Sequence, residues 1–357
     1  MKDRKAVVRF GSRSAVRLTD LAQLVRAPAA LSVPGDVIAG ATAAGRPLGA
    51  RTFGVIGSSV CLYWAGMALN DYADATVDSV ERPERPVPSG RIPRRTALAV
   101  AAGLTAAGLG LAAVAGGRRS VGAALPLAGL VWAYDLRLKS TSARGVVMAG
   151  TRVLDVLAGA VVPGADAPSV GVALRRAAVP AGLVGVHTGT LMALSRHEVG
   201  GAPGWVPVGT LAVSAVTAIA TAVPVIRGEA GSAAKSCVSS AAPSGLVAQF
   251  PAPLKGVAVA ARSEMVRTAL TAASGKFRIA VTAAGALAYL GTYGTAQMRA
   301  VQKPSAENVR RAVGAGIMGL MPLQAALTAR GGAPAVAATL GVLHPLARRL
   351  ARRISPT

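Results

Sequence analysis

The chain has 357 residues, of which 52% are hydrophobic and only 15% are charged, and its mean hydropathy is +0.48. Soluble domains average roughly 25% charged residues, so this composition excludes an ordinary soluble domain and indicates a membrane protein. The formal net charge of +24 would indicate a nucleic-acid partner in a soluble protein. Here the Lys and Arg residues lie between apolar blocks, where they set the orientation of helices in a lipid bilayer. We therefore expect no nucleic acid as a partner.

Apolar blocks of about 17 to 25 residues follow one another along the chain, and a helix of that length crosses roughly 30 Å of hydrocarbon. Small residues dominate these blocks, which favours close helix packing. The predicted fold class is all-α, a polytopic transmembrane helical bundle of about nine spans, or ten if the last block crosses. The expected spans are 28–45, 52–69, 96–116, 120–134, 145–163, 177–194, 205–226, 279–297, 312–329 and 332–347.

The chain is expected to form one membrane domain over 28–357, preceded by a basic segment over 1–27. Loops after the even-numbered spans hold 13 arginines and lysines, whereas the short loops on the opposite side hold seven, which predicts a multi-pass cell membrane protein with a cytoplasmic amino terminus. Pro34 and Asp36 interrupt the first apolar block, so we expect an uncleaved span and not a signal peptide. Residues 227–278 are rich in Ser, Ala and Pro and are predicted to form an irregular loop or insert. Cys61 and Cys237 show no disulfide pattern.

Acidic residues are concentrated where the second predicted span ends. Five of the 15 lie within 14 positions, namely Asp71, Asp74, Asp78, Glu81 and Glu84. The three aspartates are spaced by three and four residues, so on a continuing helix they share one face. Stacked carboxylates repel each other unless a cation compensates them, and Mg²⁺ prefers carboxylate oxygens combined with phosphate and water. The alternative is a solvated helix end with incidental ion pairs.

A proline- and arginine-rich segment from Arg82 to Arg91 follows directly. Guanidinium groups bind anions through charge-assisted hydrogen bonds, so this segment could hold an anion beside the metal. Carboxylates, arginines and Mg²⁺ together describe a diphosphate site.

At these residues the chain resembles the UbiA superfamily of intramembrane prenyltransferases. That superfamily's Asn-Asp-x-x-Asp-x-x-x-Asp signature is present at residues 70–78, and its Arg-Pro-x-Pro-Ser-Gly segment is present at 85–90. The run from Tyr134 to Lys139 is similar to the superfamily's Tyr-x-x-x-x-Arg-Leu-Lys segment, shortened by a residue or two. The resemblance implies a helical bundle with a central cavity open to the cytoplasmic side, a prenyl diphosphate donor and a lipophilic acceptor.

The superfamily's second signature, Asp-x-x-x-Asp after the sixth span, is incomplete in this chain. The equivalent residues 194–201 contain Glu198 as their one carboxylate. The Ser-Arg-x-Glu-Val pattern at 195–199 and the Gly-x-Met-Gly-Leu-Met-Pro-Leu-Gln run at 316–324 resemble the EboC-like branch of the superfamily.

The resemblance implies a role for each matching residue. The metal ligands are expected to be Asp71, Asp74 and Asp78, with Asn70 ligating or orienting. Glu198 is expected either to hold a second metal or to fix Arg196. The groups expected to neutralise the diphosphate are Arg82, Arg85, Lys139 and Arg196.

Charged groups inside membrane spans are functional candidates by default. The cavity candidates are Asp36, Tyr134, Arg152 and Asp155. Arg152 and Asp155 lie three residues apart, so they either pair with each other or contact substrate. His187 is interpreted as a satisfied bundle residue, and His197 as a weaker candidate for acid or base chemistry.

The sequence thus predicts a membrane prenyltransferase that uses Mg²⁺ and acts on an unidentified aromatic or lipophilic acceptor. The alternative function is a non-catalytic protein that binds or transports an isoprenoid or lipid diphosphate on the same scaffold. A cation transporter is disfavoured because the carboxylates lie at a helix end and not near the middle of the membrane.

Overall fold

The computed structural model describes residues 16–165, 167–240 and 274–342, and all regular structure in these ranges is helical. Short 3₁₀ turns cover Ala27–Ser32 and Leu138–Ser140, and a π turn over Leu290–Gly294 joins the ninth helix to the tenth. The all-α prediction is confirmed for the described residues. The helices are α1 (Leu18–Leu24), α2 (Val33–Ala43), α3 (Ala50–Ala73), α4 (Ala75–Glu81), α5 (Arg94–Leu136), α6 (Arg144–Ala160), α7 (Val170–Ser195), α8 (Trp205–Ser240), α9 (274–289), α10 (Thr295–Gln302), α11 (Ala306–Arg330) and α12 (334–342).

Five helical segments in the described ranges are long and apolar enough to cross a membrane: Ala50–Ala73, Arg94–Leu136, Val170–Ser195, Trp205–Val223 and Ala306–Arg330. The 43 residues of α5 contain the third and fourth predicted spans, separated where Gly116 and Gly117 leave helical geometry. Gly117 has a φ of 58°, a conformation that glycine adopts without a Cβ clash. The protein is therefore a multi-pass helical membrane protein, and the total of nine or ten spans stays a prediction.

The structure differs from the predicted elements at two places. The first span is a 3₁₀ turn followed by the 11-residue α2, with Pro34 in the first helical turn, where a missing N–H breaks no hydrogen bond. The segment 227–278 is not irregular throughout, because its described residues, up to Ser240 and from 274 onward, are helical. Residues 241–273 lie outside the described residues.

Helix α2 packs against α6, α7 and α11 and is buried along most of its length. Its crossing with α6 is very close. A Cβ added at Gly40 would lie 1.8 Å from the Val156 carbonyl oxygen, and one at Gly159 would lie 2.0 Å from the Val37 carbonyl oxygen. Glycine at both positions lets the two backbones meet, as expected for a membrane bundle rich in small residues.

The four loops predicted to be cytoplasmic meet at one end of the bundle. Lys139, after α5, contacts Asp74, and Arg196, after α7, donates a hydrogen bond to the Ser142 carbonyl oxygen. The amide of Ala202 donates to the Pro304 carbonyl oxygen, which joins the loop after α7 to the loop after α10. This shared position agrees with the predicted topology. The assignment of this end to the cytoplasm stays a prediction.

Candidate functional site

Helices α3 and α4 carry the acidic cluster on a nearly continuous helical segment. The amide of Asp74 donates to the Asn70 carbonyl oxygen at 2.9 Å, and the amide of Asp78 donates to the Asp74 carbonyl oxygen at 2.8 Å. Asp71 and Asp78 are two turns apart and therefore lie on nearly the same face, whereas Asp74 is rotated from Asp71 by roughly 60°. The segment thus presents two carboxylates in one direction and the third to one side.

Arg85 bridges the two carboxylates that share a face. Asp71 and Asp78 are each 1% exposed. Arg85 Nη1 lies 2.5 Å from Asp78 Oδ2 and 3.7 Å from Asp71 Oδ1. Arg82 Nη1 lies 3.5 Å from Asp78 Oδ1. The arginine segment therefore folds back onto the acidic helix end, and Arg85 supplies the positive charge between its carboxylates.

The end of α5 closes the other side of the acidic cluster. Lys139 Nζ lies 2.7 Å from Asp74 Oδ1. Asn70 Nδ2 donates a hydrogen bond of 3.2 Å to Asp135 Oδ1, and the neighbouring Tyr134 is half-buried. The segment from Tyr134 to Lys139 is therefore brought to the Asn70 to Asp78 segment, although more than 50 residues separate the two in sequence.

Arg26 also belongs to this site and was not identified from the sequence. Its Nη2 lies 3.0 Å from Asp71 Oδ1 and 3.4 Å from Asn70 Oδ1. Arg26 has a φ of 45° and is, within the described ranges, the one non-glycine residue with a positive φ. Such a conformation costs on the order of 1 to 3 kcal/mol, so the surrounding contacts hold it in place. Strained backbone at a residue that contacts buried carboxylates is typical of a functional position.

Glu198 and Arg196 lie in the loop after α7, at the same end of the bundle. Burial raises the pKa of the Glu198 carboxyl, and the charges of Arg310 and Arg82 act in the opposite direction. Arg196 is exposed, and its Nη2 donates to the Ser142 carbonyl oxygen at 3.0 Å. The positive charges of Arg310 and Arg82 thus act on Glu198, and Arg82 also contacts Asp78.

Three of the four cavity candidates form a separate polar cluster inside the bundle. Asp36 and Asp155 are fully buried, and Arg152 is 5% exposed. Arg152 Nε lies 2.8 Å from Asp36 Oδ2, and Gln324 Nε2 donates to Asp36 Oδ1 at 2.6 Å. Arg152 lies eight residues into α6, roughly 12 Å from the start of that helix. The cluster therefore lies inside the bundle, away from the acidic helix end.

The ion pair that the sequence suggested between Arg152 and Asp155 is not the one formed. Arg152 makes its salt bridge with Asp36 of α2, while Asp155 lies near enough to be influenced by the guanidinium charge. The close crossing of α2 and α6 at their glycines brings Asp36 against Arg152. Spacing along one helix could not reveal this partner.

His187 is a packing residue, as the sequence indicated. It is 1% exposed, and its Nε2 lies 3.1 Å from the Gly316 carbonyl oxygen. A carbonyl oxygen only accepts, so Nε2 carries the hydrogen and Nδ1 accepts from the Tyr289 hydroxyl at 3.1 Å. Both ring nitrogens are occupied, which leaves no lone pair for a base.

The donor chemistry of the acidic cluster fits Mg²⁺ that is shared with a phosphate. The described residues contain no group of three His, Cys, Asp or Glu side chains placed to hold a metal ion. Two carboxylates do converge, because Asp71 and Asp78 both contact Arg85. Mg²⁺ is commonly bound by one or two protein carboxylates and completed by substrate phosphates and water. Asp71 and Asp78 fit that role, and Asp74 would have to leave Lys139 to join them.

These features define a multi-pass helical membrane protein with buried carboxylates surrounded by arginine and lysine at one end of the bundle. The chain belongs to the UbiA prenyltransferase family, which it matches over residues 32–225.

Relatives of the chain include two enzymes of the same name. A digeranylgeranylglyceryl phosphate synthase from Methanopyrus kandleri is 41% identical over 139 residues, which are 39% of this chain and 49% of that protein. A digeranylgeranylglyceryl phosphate synthase from Ignicoccus hospitalis is 37% identical over 123 residues, which are 34% of this chain and 40% of that protein. The matches thus span about half the length, or less, of these curated relatives.

Two solved structures share the fold. A structure of digeranylgeranylglyceryl phosphate synthase gives a TM-score of 0.53 at 13% identity and covers 88% of this chain and 98% of its own. A UbiA homologue from Aeropyrum pernix K1 gives a TM-score of 0.52 at 17% identity and covers 85% of this chain and 96% of its own. At these identities the likeness establishes the fold alone.

Proposed function

We propose that the protein is a UbiA-type prenyltransferase that transfers a prenyl group from a Mg²⁺-bound prenyl diphosphate to a lipophilic acceptor. The observation that carries the proposal is the pair of buried carboxylates, Asp71 and Asp78, which Arg85 bridges and which Arg26 and Arg82 also contact. Membership of the UbiA prenyltransferase family supports it. The relatives' name supports an acceptor that contains glyceryl phosphate, and an aromatic acceptor is the class to compare with it.

In this proposal the chain stabilises a departing diphosphate while the bond between the allylic carbon and the diphosphate oxygen breaks. Bound Mg²⁺ would supply Lewis-acid stabilisation of the leaving group. The groups that would neutralise its remaining charge are Arg26, Arg82, Arg85 and Lys139, with Arg196 at the rim. A preorganised positive charge is worth more in a site that excludes water than in solution. The acceptor then forms the new bond to the allylic carbon and releases a proton to the surrounding water or to the diphosphate, which leaves with its oxygen.

The alternative function is a carrier that holds a diphosphate lipid without cleaving it. The incomplete second signature favours this alternative, since Glu198 is the one carboxylate there and it faces Arg310 and Arg82. Binding and turnover therefore have to be measured separately.

Replacement of Asp74 by alanine is expected to reduce donor binding by about tenfold, because it removes a carboxylate that would hold the donor-bound Mg²⁺ and the ion pair that orients Lys139. The measurement uses purified full-length protein with labelled geranylgeranyl diphosphate, with Mg²⁺ or with EDTA. Pyrophosphate release is followed with glyceryl phosphate and aromatic acceptors. Glu81→Ala is the matched control, because Glu81 is an exposed carboxylate on the same helical segment.

Two outcomes would contradict parts of the proposal. Mg²⁺-dependent donor binding that Asp74→Ala removes, with no pyrophosphate released in any acceptor pool, would establish the carrier. Donor binding that persists both in Asp74→Ala and in EDTA would show that the acidic cluster is not the site.

Replacement of Glu198 by glutamine is expected to lower turnover by about fivefold or less. Glu198 is partly solvated and faces arginines, and such a charge pair contributes at most about 1 kcal/mol. The measurement is kcat and KM for the donor over a range of Mg²⁺ concentrations, with Glu307→Gln as an exposed control. A loss of two orders of magnitude that added Mg²⁺ reverses would instead identify Glu198 as a metal ligand.

A further inference from the structure

The end of the bundle opposite the acidic cluster contains a cavity of about 490 Å³. It lies between the loop that joins α2 to α3 and the loop that joins α6 to α7. The length of α3, roughly 36 Å, separates it from the acidic cluster at the other end of that helix. The residues that line it are Gly45, Arg46, Pro47, Gly164, Ala165 and Ala167.

Arg46 is held in this cavity by its backbone and by one side-chain contact. The amide of Gly45 donates to the Thr42 carbonyl oxygen, and the amide of Arg46 donates to the Ala41 carbonyl oxygen. This pair of hydrogen bonds is a Schellman cap, and it requires the left-handed φ of 71° found at Gly45. Arg46 Nε donates to the Ala160 carbonyl oxygen at 2.9 Å. The side chain is therefore fixed at both ends.

No carboxylate of the described residues, which leave out Asp166, compensates the buried charge of Arg46. The residue is 4% exposed, and its buried Nη2 has no hydrogen-bond partner among the described residues. Burial and the nearby Arg119 both lower the pKa of Arg46. The guanidinium of Arg176 also approaches, lying 3.4 Å from where a Gly45 Cβ would stand. Within the described residues no carboxylate forms an ion pair with Arg46, although burying a charge without a partner is strongly unfavourable.

We infer that this cavity binds a phosphate group, with Arg46 as its central ligand and Arg119 and Arg176 contributing positive charge. An anion would compensate three arginines and complete the hydrogen bonding of Arg46 Nη2. The position at the ends of membrane helices is the level of lipid headgroups, and an anionic headgroup carries a phosphate that arginines can bind. A free phosphate has the same chemistry. The site is independent of prenyl transfer and goes beyond the proposed function.

The test measures the thermal unfolding midpoint of delipidated full-length protein in a non-ionic detergent with EDTA present. One arm adds inorganic phosphate against chloride at equal ionic strength. The second adds short-chain phosphatidylglycerol against the matching uncharged diacylglycerol. A rise in the midpoint with phosphate identifies a soluble anion as the ligand, and a rise with phosphatidylglycerol alone identifies a lipid headgroup.

The Arg46→Met variant is expected to need at least about tenfold more phosphate or phosphatidylglycerol, whichever stabilises the unchanged protein, for the same rise in the unfolding midpoint. Arg51→Met is the matched control, since Arg51 is an exposed arginine at the same end, and it should behave like the unchanged protein. If Arg46→Met does not fold, Arg46→Lys keeps the charge but loses the forked donors, and it should weaken binding severalfold. An unchanged response in the Arg46 variants, or no response of the unchanged protein to either probe, would overturn the inference.

Discussion

Replacement of Asp78 by asparagine is expected to lower the rate of prenyl transfer by at least about two orders of magnitude. Asp78 is 1% exposed and contacts both Arg85 and Arg82. Asparagine keeps the shape of the side chain but removes the charge. The variant therefore loses one of the two converging carboxylates, and two arginines lose the partner that orients them.

The readouts are turnover, donor affinity and the apparent affinity for Mg²⁺. Glu81→Gln, three residues further along α4 and exposed, is the matched control and should keep its activity. A weaker apparent Mg²⁺ affinity in Asp78→Asn supports a role as metal ligand, whereas an unchanged one supports a role in orienting Arg85. Turnover close to that of the unchanged protein, with normal Mg²⁺ dependence, would refute the assignment of this site.

Replacement of Arg152 by methionine is expected to destabilise the fold by about 3 to 5 kcal/mol. Arg152 supplies the positive charge beside two fully buried carboxylates, Asp36 and Asp155. Methionine has a similar length but leaves both carboxylates without a cation. Removing one partner of a buried ion pair costs more than the pair itself contributes, because the remaining charge stays desolvated.

The measurement is the free energy of unfolding in mixed micelles. A double-mutant cycle isolates the interaction between Arg152 and Asp36. Adding Asp36→Asn to Arg152→Met should recover at least about 1 kcal/mol, because it removes a charge that the first change left alone. Arg311→Met is the control, since Arg311 and its partner Glu307 are 62% and 64% exposed. That change should stay within about 0.5 kcal/mol. Equal effects of Arg152→Met and Arg311→Met would rule out a structural role for the interior cluster.

The helices of the bundle could largely be predicted from the sequence, because apolar blocks of membrane length are a local signal. The Gly116–Gly117 break lies between two predicted spans, and the acidic and arginine-rich segments are adjacent in sequence. Helix α8 runs past its apolar block because the backbone hydrogen bonds of a helix do not depend on apolar side chains, whereas hydropathy reports only the part suited to lipid. The EboC-like branch and the metal ligands stay predictions.

The contacts that could not be predicted are those between distant segments. Arg26 lies 45 residues before Asp71 in a generally basic region, so nothing local distinguishes it from its neighbours. Asp36 and Arg152 are 116 residues apart and meet because two glycine-containing helices cross closely. Asp135 was within reach of sequence reasoning, since it is a carboxylate inside the Tyr134 to Lys139 segment. Helix packing brings these pairs together, and local residue patterns in one sequence do not reveal which helices pack.

The bridge that Arg85 makes between Asp71 and Asp78 supplies these carboxylates with a counterion that belongs to the chain itself. We therefore expect chelation of divalent ions to leave the bundle folded. In the proposed enzyme, Asp71 and Asp78 would hold Mg²⁺, which would supply Lewis-acid stabilisation of the leaving group. Arg85 would then be free to contact the diphosphate, so one side chain would first compensate the carboxylates and later neutralise the leaving group.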